Sequence, residues 1–294
     1  MAVSGVESVG AITYARLVND IPLEKLYALW VARGFDEKLL PPPATHENTL
    51  RRALVATRHG MRTLLRPLEG RNGFALVSET AKDDKLDYDT SKMLRARVDA
   101  PENEPVQLTI TPSDHPYATG IRAQFEALQH TISAHSFGSG WLWRYIAPRC
   151  QAVSLRDFGG IYFIPRGMLA QWNAWSDTIE EACPGVKIYR IPAVSGAEAI
   201  EAVMDSVRAE AEAAIAAINE ELLRTGKDAL GKRALRNREQ RTREVRDKIA
   251  HYEGLFEIQL DDLRGQLDSL NTEIGGALLL LAEDLGLVGG QDNE

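Results

Sequence analysis

The spacing of apolar residues in the last third of this chain limits its fold more than any other feature. They recur at Ile200, Met204, Val207, Ala211, Ala214, Ile218 and Leu222, then at Leu260, Leu263, Leu267, Leu270, Ile274 and Leu281. Steps that alternate between three and four keep one seam on one side of a helix, the pattern of helices packed lengthwise on other helices. Ser195, with Glu198 three residues on, supplies a capping box for a first helix running to about Arg224. Thr225-Gly226-Lys227 and Gly231 interrupt it. A second helix carries Val245, Ile249, Tyr252 and Phe256 and continues through Leu260. Its extra step of four is a stutter, which unwinds a supercoil locally instead of ending it. A short break between long helices favours an antiparallel hairpin or coiled coil within one chain, over 196–286, with 287–294 a disordered tail. The same seams also allow self-association or a protein partner.

The region before this hairpin reads as mixed α+β, with a helix–helix–β-hairpin region over 1–115 and an α/β unit over 116–195. GAITYARLV suits a first strand, and Pro22 sits where a helix would begin, with Leu23, Leu26, Tyr27 and Trp30 on one stripe. Three prolines at 41–43 exclude helix there. Thr45 then caps a second helix with Leu50, Leu54 and Val55 inward and Arg51, Arg52 and Arg58 mostly outward. TLLRPLE and FALVSET flank a turn containing Asn72-Gly73, and two further β-type runs extend to about Pro112. A helix begins near Pro116, and HSFGSG at 135–140 interrupts or bends it. WLWRYIA is its continuation or a buried strand. QAVSLR and IYFIP pair around Asp157-Phe158-Gly159-Gly160, a tryptophan-rich helix follows, and VKIYRIPAV returns as a strand.

A length of 294 residues accommodates two domains, or one domain with a helical extension. Hydrophobic residues at 44% and charged residues at 26% match a soluble globular protein. The net charge of −8 argues against a wholly basic nucleic-acid coat and leaves room for a local basic patch. Two cysteines are too few for a disulfide-stapled scaffold and fit thiols in a reducing cytoplasm. The first residues lack the basic and apolar regions of a signal peptide. GGALLLLAEDLGLVGG is broken by Glu283 and Asp284 and is shorter than the roughly 20 residues of a membrane span, so no membrane association is expected.

Chemistry-bearing residues are sparse. Lys232–Lys248 holds eight basic residues against three acidic ones, including Lys232, Arg233, Arg236, Arg238, Arg241 and Arg243. Such a stripe contacts DNA or RNA phosphates by charge, or is a solvated face with pairs such as Glu239–Arg243. Residues 22–80 follow the order of a winged helix, in which Thr45–Arg58 would enter a groove. Arg51, Arg52, Arg58, Arg62 and Arg71 would then meet phosphates. Asp83, Asp84, Lys85 and Asp87 sketch a nuclease-like cluster or a charged turn. His115, His130, His135 and Cys150 match no standard metal-ligand spacing. Trp141, Trp143, Trp172 and Trp175 are base-stacking candidates, or core at helical spacing. Asp157-Phe158-Gly159 resembles a kinase magnesium motif without the accompanying kinase motifs, and no Walker loop, G-x-S-x-G or H-E-x-x-H occurs. No cofactor signature, metal site or catalytic residue is therefore assigned.

ALWVARGFDEKLLPPPATHENTLRRALVA, Ala28–Ala56, resembles the opening of an uncharacterised family of phage and prokaryotic proteins. In that family a Leu/Pro-rich segment precedes an Asp-Ala-Phe-Arg-Arg-Ala helix. Glu47–Ala53 stands at the matching positions with different acidic and aromatic residues. The resemblance implies a phage or mobile-element origin, and the 25 arginines against 9 lysines agree with a GC-rich genome. The expected function is a non-enzymatic cytoplasmic scaffold or interaction protein that contacts nucleic acid through a basic helix. The alternatives are a winged-helix DNA regulator and a nuclease or other hydrolase.

Overall fold

The computed structural model describes residues 8–58, 63–70, 72–82, 85–101, 105–156, 159–225 and 231–284. In chain order the first elements are β1 (Ser8–Arg16), β2 (Asp20–Pro22), α1 (Glu24–Ala32), α2 (His46–Thr57), β3 (Thr63–Pro67), β4 (Gly73–Lys82), β5 (Lys85–Asp99) and β6 (Gln107–Thr111). They are followed by α3 (Ala118–Leu128), β7 (Thr131–Ser133), β8 (Val153–Ser154), β9 (Tyr162–Pro165), α4 (Leu169–Ala182) and β10 (Lys187–Val194). Three long helices close the chain: α5 (Ala197–Thr225), α6 (Lys232–Phe256) and α7 (Asp261–Asp284). Contacts divide it into a meander unit, Arg16–Leu142 with Asp177–Lys187, and a bundle unit, Met1–Ala15 with Trp143–Ser176 and Ile188–Glu294. The mixed α+β architecture expected from the sequence is present, with antiparallel sheets and packed C-terminal helices. Among the described residues no helix is long and apolar enough to cross a membrane.

In the meander unit, β3-β4-β5-β6 form an antiparallel sheet in chain order. Alternation puts Phe74, Leu76, Leu94, Ala96, Val98 and Ile110 on one face. Leu50, Ala53 and Leu54 of α2 and Ile121, Phe125 and Leu128 of α3 cover that face. Thr45 caps α2 as expected, its hydroxyl accepting the Asn48 N–H at 3.2 Å. Three local expectations are corrected. Pro22 lies in β2, paired with Thr131, and α1 starts at Glu24. Val55 is 40% exposed, because the narrow apolar stripe of α2 is already filled by Leu50, Ala53 and Leu54. Arg52 does not point outward: its guanidinium donates to the Asp20 carboxylate, to the Thr131 carbonyl at 2.8 Å and to the Thr131 hydroxyl at 2.7 Å. It thereby ties α2 to the β2–β7 pair.

The helix expected from near Pro116 ends at Leu128, where β7 intervenes, and the glycines at 138 and 140 do not break the separate helix over 136–146. They sit inside a π-helical run, Ser136–Ile146, whose wider turn keeps Trp141, Leu142 and Trp143 buried. Trp141 donates its indole N–H to the Leu39 carbonyl at 2.6 Å, and Trp30 donates to the Asp36 carbonyl at 3.0 Å. Trp30 and Trp141 meet edge to face, so both are core residues. The hairpin expected around Asp157-Phe158-Gly159-Gly160 pairs β8 with β9, and Gly159 and Gly160 take positive φ values of 69° and 93°; Asp157 and Phe158 lie outside the described residues.

In the bundle unit, β10-β1-β9-β8 form a second sheet. Ile12, Val153, Phe163 and Ala193 pack with α5, α6 and α7 in one apolar cluster. Gly10 is required at its position in β1, since a Cβ there would stand 2.3 Å from the Ile164 carbonyl oxygen and 2.5 Å from the Phe163 ring. The helical seam is Met204, Val207, Ala211, Ile215, Ile218 and Leu222, with Ile215 buried where Ala214 was expected. Leu235, Ile249, Tyr252, Leu263, Leu267, Leu270 and Ile274 complete it. Cross-helix pairs Glu210–Lys248 and Glu221–Arg241 run α6 antiparallel to α5, and Arg246–Asp268 with Glu253–Arg264 runs α7 antiparallel to α6.

The second helix of the expected hairpin is two helices. At the stutter, Glu257 turns to a left-handed φ of +58°, and α7 begins four residues later. Buried Glu253 replaces the lost helical bonding: its carboxylate accepts the Leu260 N–H at 2.6 Å and pairs with Arg264. The break expected at Thr225–Gly231 falls mostly on 226–230, outside the described residues, as does the tail over 287–294.

Candidate nucleic-acid interface

The basic run of Lys232–Lys248 becomes α6, and packing sorts its cations. Leu235, Thr242, Ile249 and Tyr252 are buried, so one side of α6 faces α5 and α7 and the residues beside it reach their carboxylates. Arg238, nearly buried, lies 3.2 Å from Glu221 and donates to the Ala234 carbonyl at 2.9 Å. Arg241 shares Glu221 at 3.3 Å. Lys248 donates to Glu210 and to the Ala152 carbonyl, both at 2.6 Å, and Arg246 pairs with Asp268. Arg243 pairs with Glu239 at 3.1 Å along the helix surface, the pairing anticipated from their spacing. These cations join helices or neutralise neighbours.

The first turn of α6 differs. Arg233 and Arg236 are exposed and have no ion-pair partner among the described residues. The N-cap is Gly231, in extended conformation, without a side-chain cap, and the first turn holds no acidic residue. Free N–H groups and the helix dipole already make this end positive, and acidic side chains ordinarily offset that field. Here arginines add to it. Such an end attracts an anion from outside the chain. The side chain of Lys232 lies outside the described residues.

The α2 candidates are dispersed. Arg51 is exposed, Arg52 is held by Asp20 and Thr131, and Arg58 donates to the Thr63 carbonyl at 3.2 Å. Arg62 and Arg71 lie outside the described residues. Because α2 packs on β4, β5 and α3, its apolar stripe is a core face and only Arg51 of its three arginines extends freely from it. Asp83 and Asp84 lie outside the described residues, as do the side chains of Lys85 and Asp87. His115 lies against Tyr117, His130 is 3.6 Å from Glu24, and Cys150 is buried in the other unit. Among the described residues no three His, Cys, Asp or Glu side chains are grouped to hold a metal ion.

Both thiols are free and buried, and desolvation pushes each up to about 12, partly opposed at Cys183 by Lys25. The thiolate is the reactive species, so both cysteines should be inert. Native protein at pH 8 should incorporate no iodoacetamide within an hour and two equivalents in denaturant. Rapid native labelling of either residue, read by peptide mass spectrometry, would contradict their burial.

What spacing alone did not reveal is the division within the basic run. Glu210, Glu221 and Asp268 are distant in sequence, and only the antiparallel helices bring them to Lys248, Arg238 and Arg246. The missing acid in the first turn was legible. A family model described as a family of unknown function (DUF6744) matches residues 13–284, and the chain belongs to that family. No curated protein and no solved structure matches it.

Proposed function

We propose that this protein is a non-enzymatic cytoplasmic interaction protein that contacts nucleic-acid phosphates through the first turn of α6. The observation that carries this reading is the contrast within one helix. Arg238, Arg241, Arg243, Arg246 and Lys248 are engaged by carboxylates, whereas Arg233 and Arg236 extend from an uncapped, acid-free helix start. The three helices serve as an arm that carries this end. Their seams fill one another, which supports pairing within one chain as the primary arrangement. A phage or mobile-element origin belongs to the same reading, supported by the arginine bias and the Ala28–Ala56 resemblance; genomic neighbours of family members test it.

Fluorescence anisotropy with a labelled random duplex tests the contact. Binding should weaken steeply with salt, and R233Q/R236Q should reduce the slope of log K against log salt by about 2, since each phosphate contact contributes about 0.9. No binding at 50 mM salt, or an unchanged slope in the double variant, would remove α6 from the interface.

A further inference from the structure

The two faces of the meander sheet are unlike. One is the apolar core face covered by α2 and α3. Strand register builds the other. Across the sheet Arg66 pairs with Ala75, Ala75 with Arg95, and Arg95 with Thr111. One step along, Gly73 pairs with Arg97, and Arg97 with Thr109. Next come Asp99 and Gln107. Alternation puts all of these on the face opposite the core.

Arg66, Arg95 and Arg97 are exposed and have no ion-pair partner among the described residues. Thr109, Thr111 and Gln107 beside them are also exposed. The acid among the described side chains of this face, Asp99, is held by the Asn72 side-chain amide at 3.2 Å. The residues between the arginines are small: Ala75 is 6% exposed, and a Cβ on Gly73 would stand 2.9 Å from Arg97 Cγ. The Arg97 stem therefore lies across Gly73, resting apolar carbons on the sheet while its charged end stays in water. Strand spacing separates Arg66 from Arg95 by about 10 Å, and Arg95 from Arg97 by about 7 Å.

We propose that this face is a second nucleic-acid contact, in which Arg66, Arg95 and Arg97 take phosphates and the Thr109–Thr111 row donates to phosphate or sugar oxygens. Three like charges held about 7–10 Å apart on one exposed face suit an anion that carries several charges at similar spacing. A chain of phosphates meets that condition. The described part of the face carries no aromatic ring on which bases would stack, so contact is with the backbone and independent of sequence. This site stands on the meander sheet alone and does not depend on the α6 reading.

The test uses the full chain, a fluorescein-labelled 30-base-pair random duplex and anisotropy titrations at 50 and 200 mM salt. R66Q/R95Q/R97Q should lower the salt slope by about 2.7, so that over this range the wild type loses about 40-fold more affinity than the variant. R66K/R95K/R97K should keep most of the wild-type slope, and near-UV circular dichroism should be unchanged in both variants. A wild-type slope in the glutamine variant overturns the proposal even if R233Q/R236Q loses binding. So does failure of the wild type to bind duplex at 50 mM salt, including the case in which it binds phosphatidylserine vesicles instead.

Discussion

Replacing Phe163 by alanine is expected to destabilise the protein by about 3–5 kcal/mol, as for other large aromatic side chains deleted from a packed core. Phe163 is 1% exposed and sits in β9 between Ile12 of β1 and Val153 of β8. Its ring centroid is 6.2 Å from that of Tyr252 and 6.3 Å from that of Phe256, both on α6. It also fills the space left by the missing side chain of Gly10. One deletion thus opens the contact of the sheet with the bundle from both sides. Phe163→Leu retains much of the volume and should cost less than half as much. Urea unfolding of the three proteins checks this, and a shift below about 1 kcal/mol for the alanine variant would show that the site collapses freely.

Glu253→Ala should cost about 3 kcal/mol, an unusual amount for a single carboxylate. Glu253 is 5% exposed and joins the end of α6 to the start of α7 through the Leu260 N–H and Arg264. Alanine leaves a buried N–H unsatisfied and removes the anion that Arg264 faces. Glu253→Gln retains an acceptor for Leu260 and should recover part of the loss. Equal destabilisation by the two variants would place the whole effect in the charge. No effect from either would show that solvent caps α7 equally well.

Much of the architecture was legible because periodicity follows burial. Alternation in the strands and the three–four steps from Met204 to Ile274 each mark a single buried face. The break at Glu257 was not legible, because chain reversals usually advertise themselves through Gly or Pro and this one uses a glutamate in a left-handed conformation. Arg52 misled for a related reason. Arginine on a helix is ordinarily solvated, and nothing local says that Asp20 and Thr131 fold back to meet it. The sheet arginines were half legible. Arg95 and Arg97 share a face by spacing alone, but their alignment with Arg66 needs the register of three strands.

The turn at Glu257 also changes the parity of the arm. Two passes would bring the chain back to its point of departure, beside the sheet of the bundle unit. Three passes leave it at the opposite end: Ile274 and Ala277 of α7 lie with Leu222 and Leu235, where α5 finishes and α6 starts. The 24 residues of α7 cover about 36 Å at 1.5 Å each. The last turn of α7 is therefore brought to the neighbourhood of Arg233, about one helix length from Leu260.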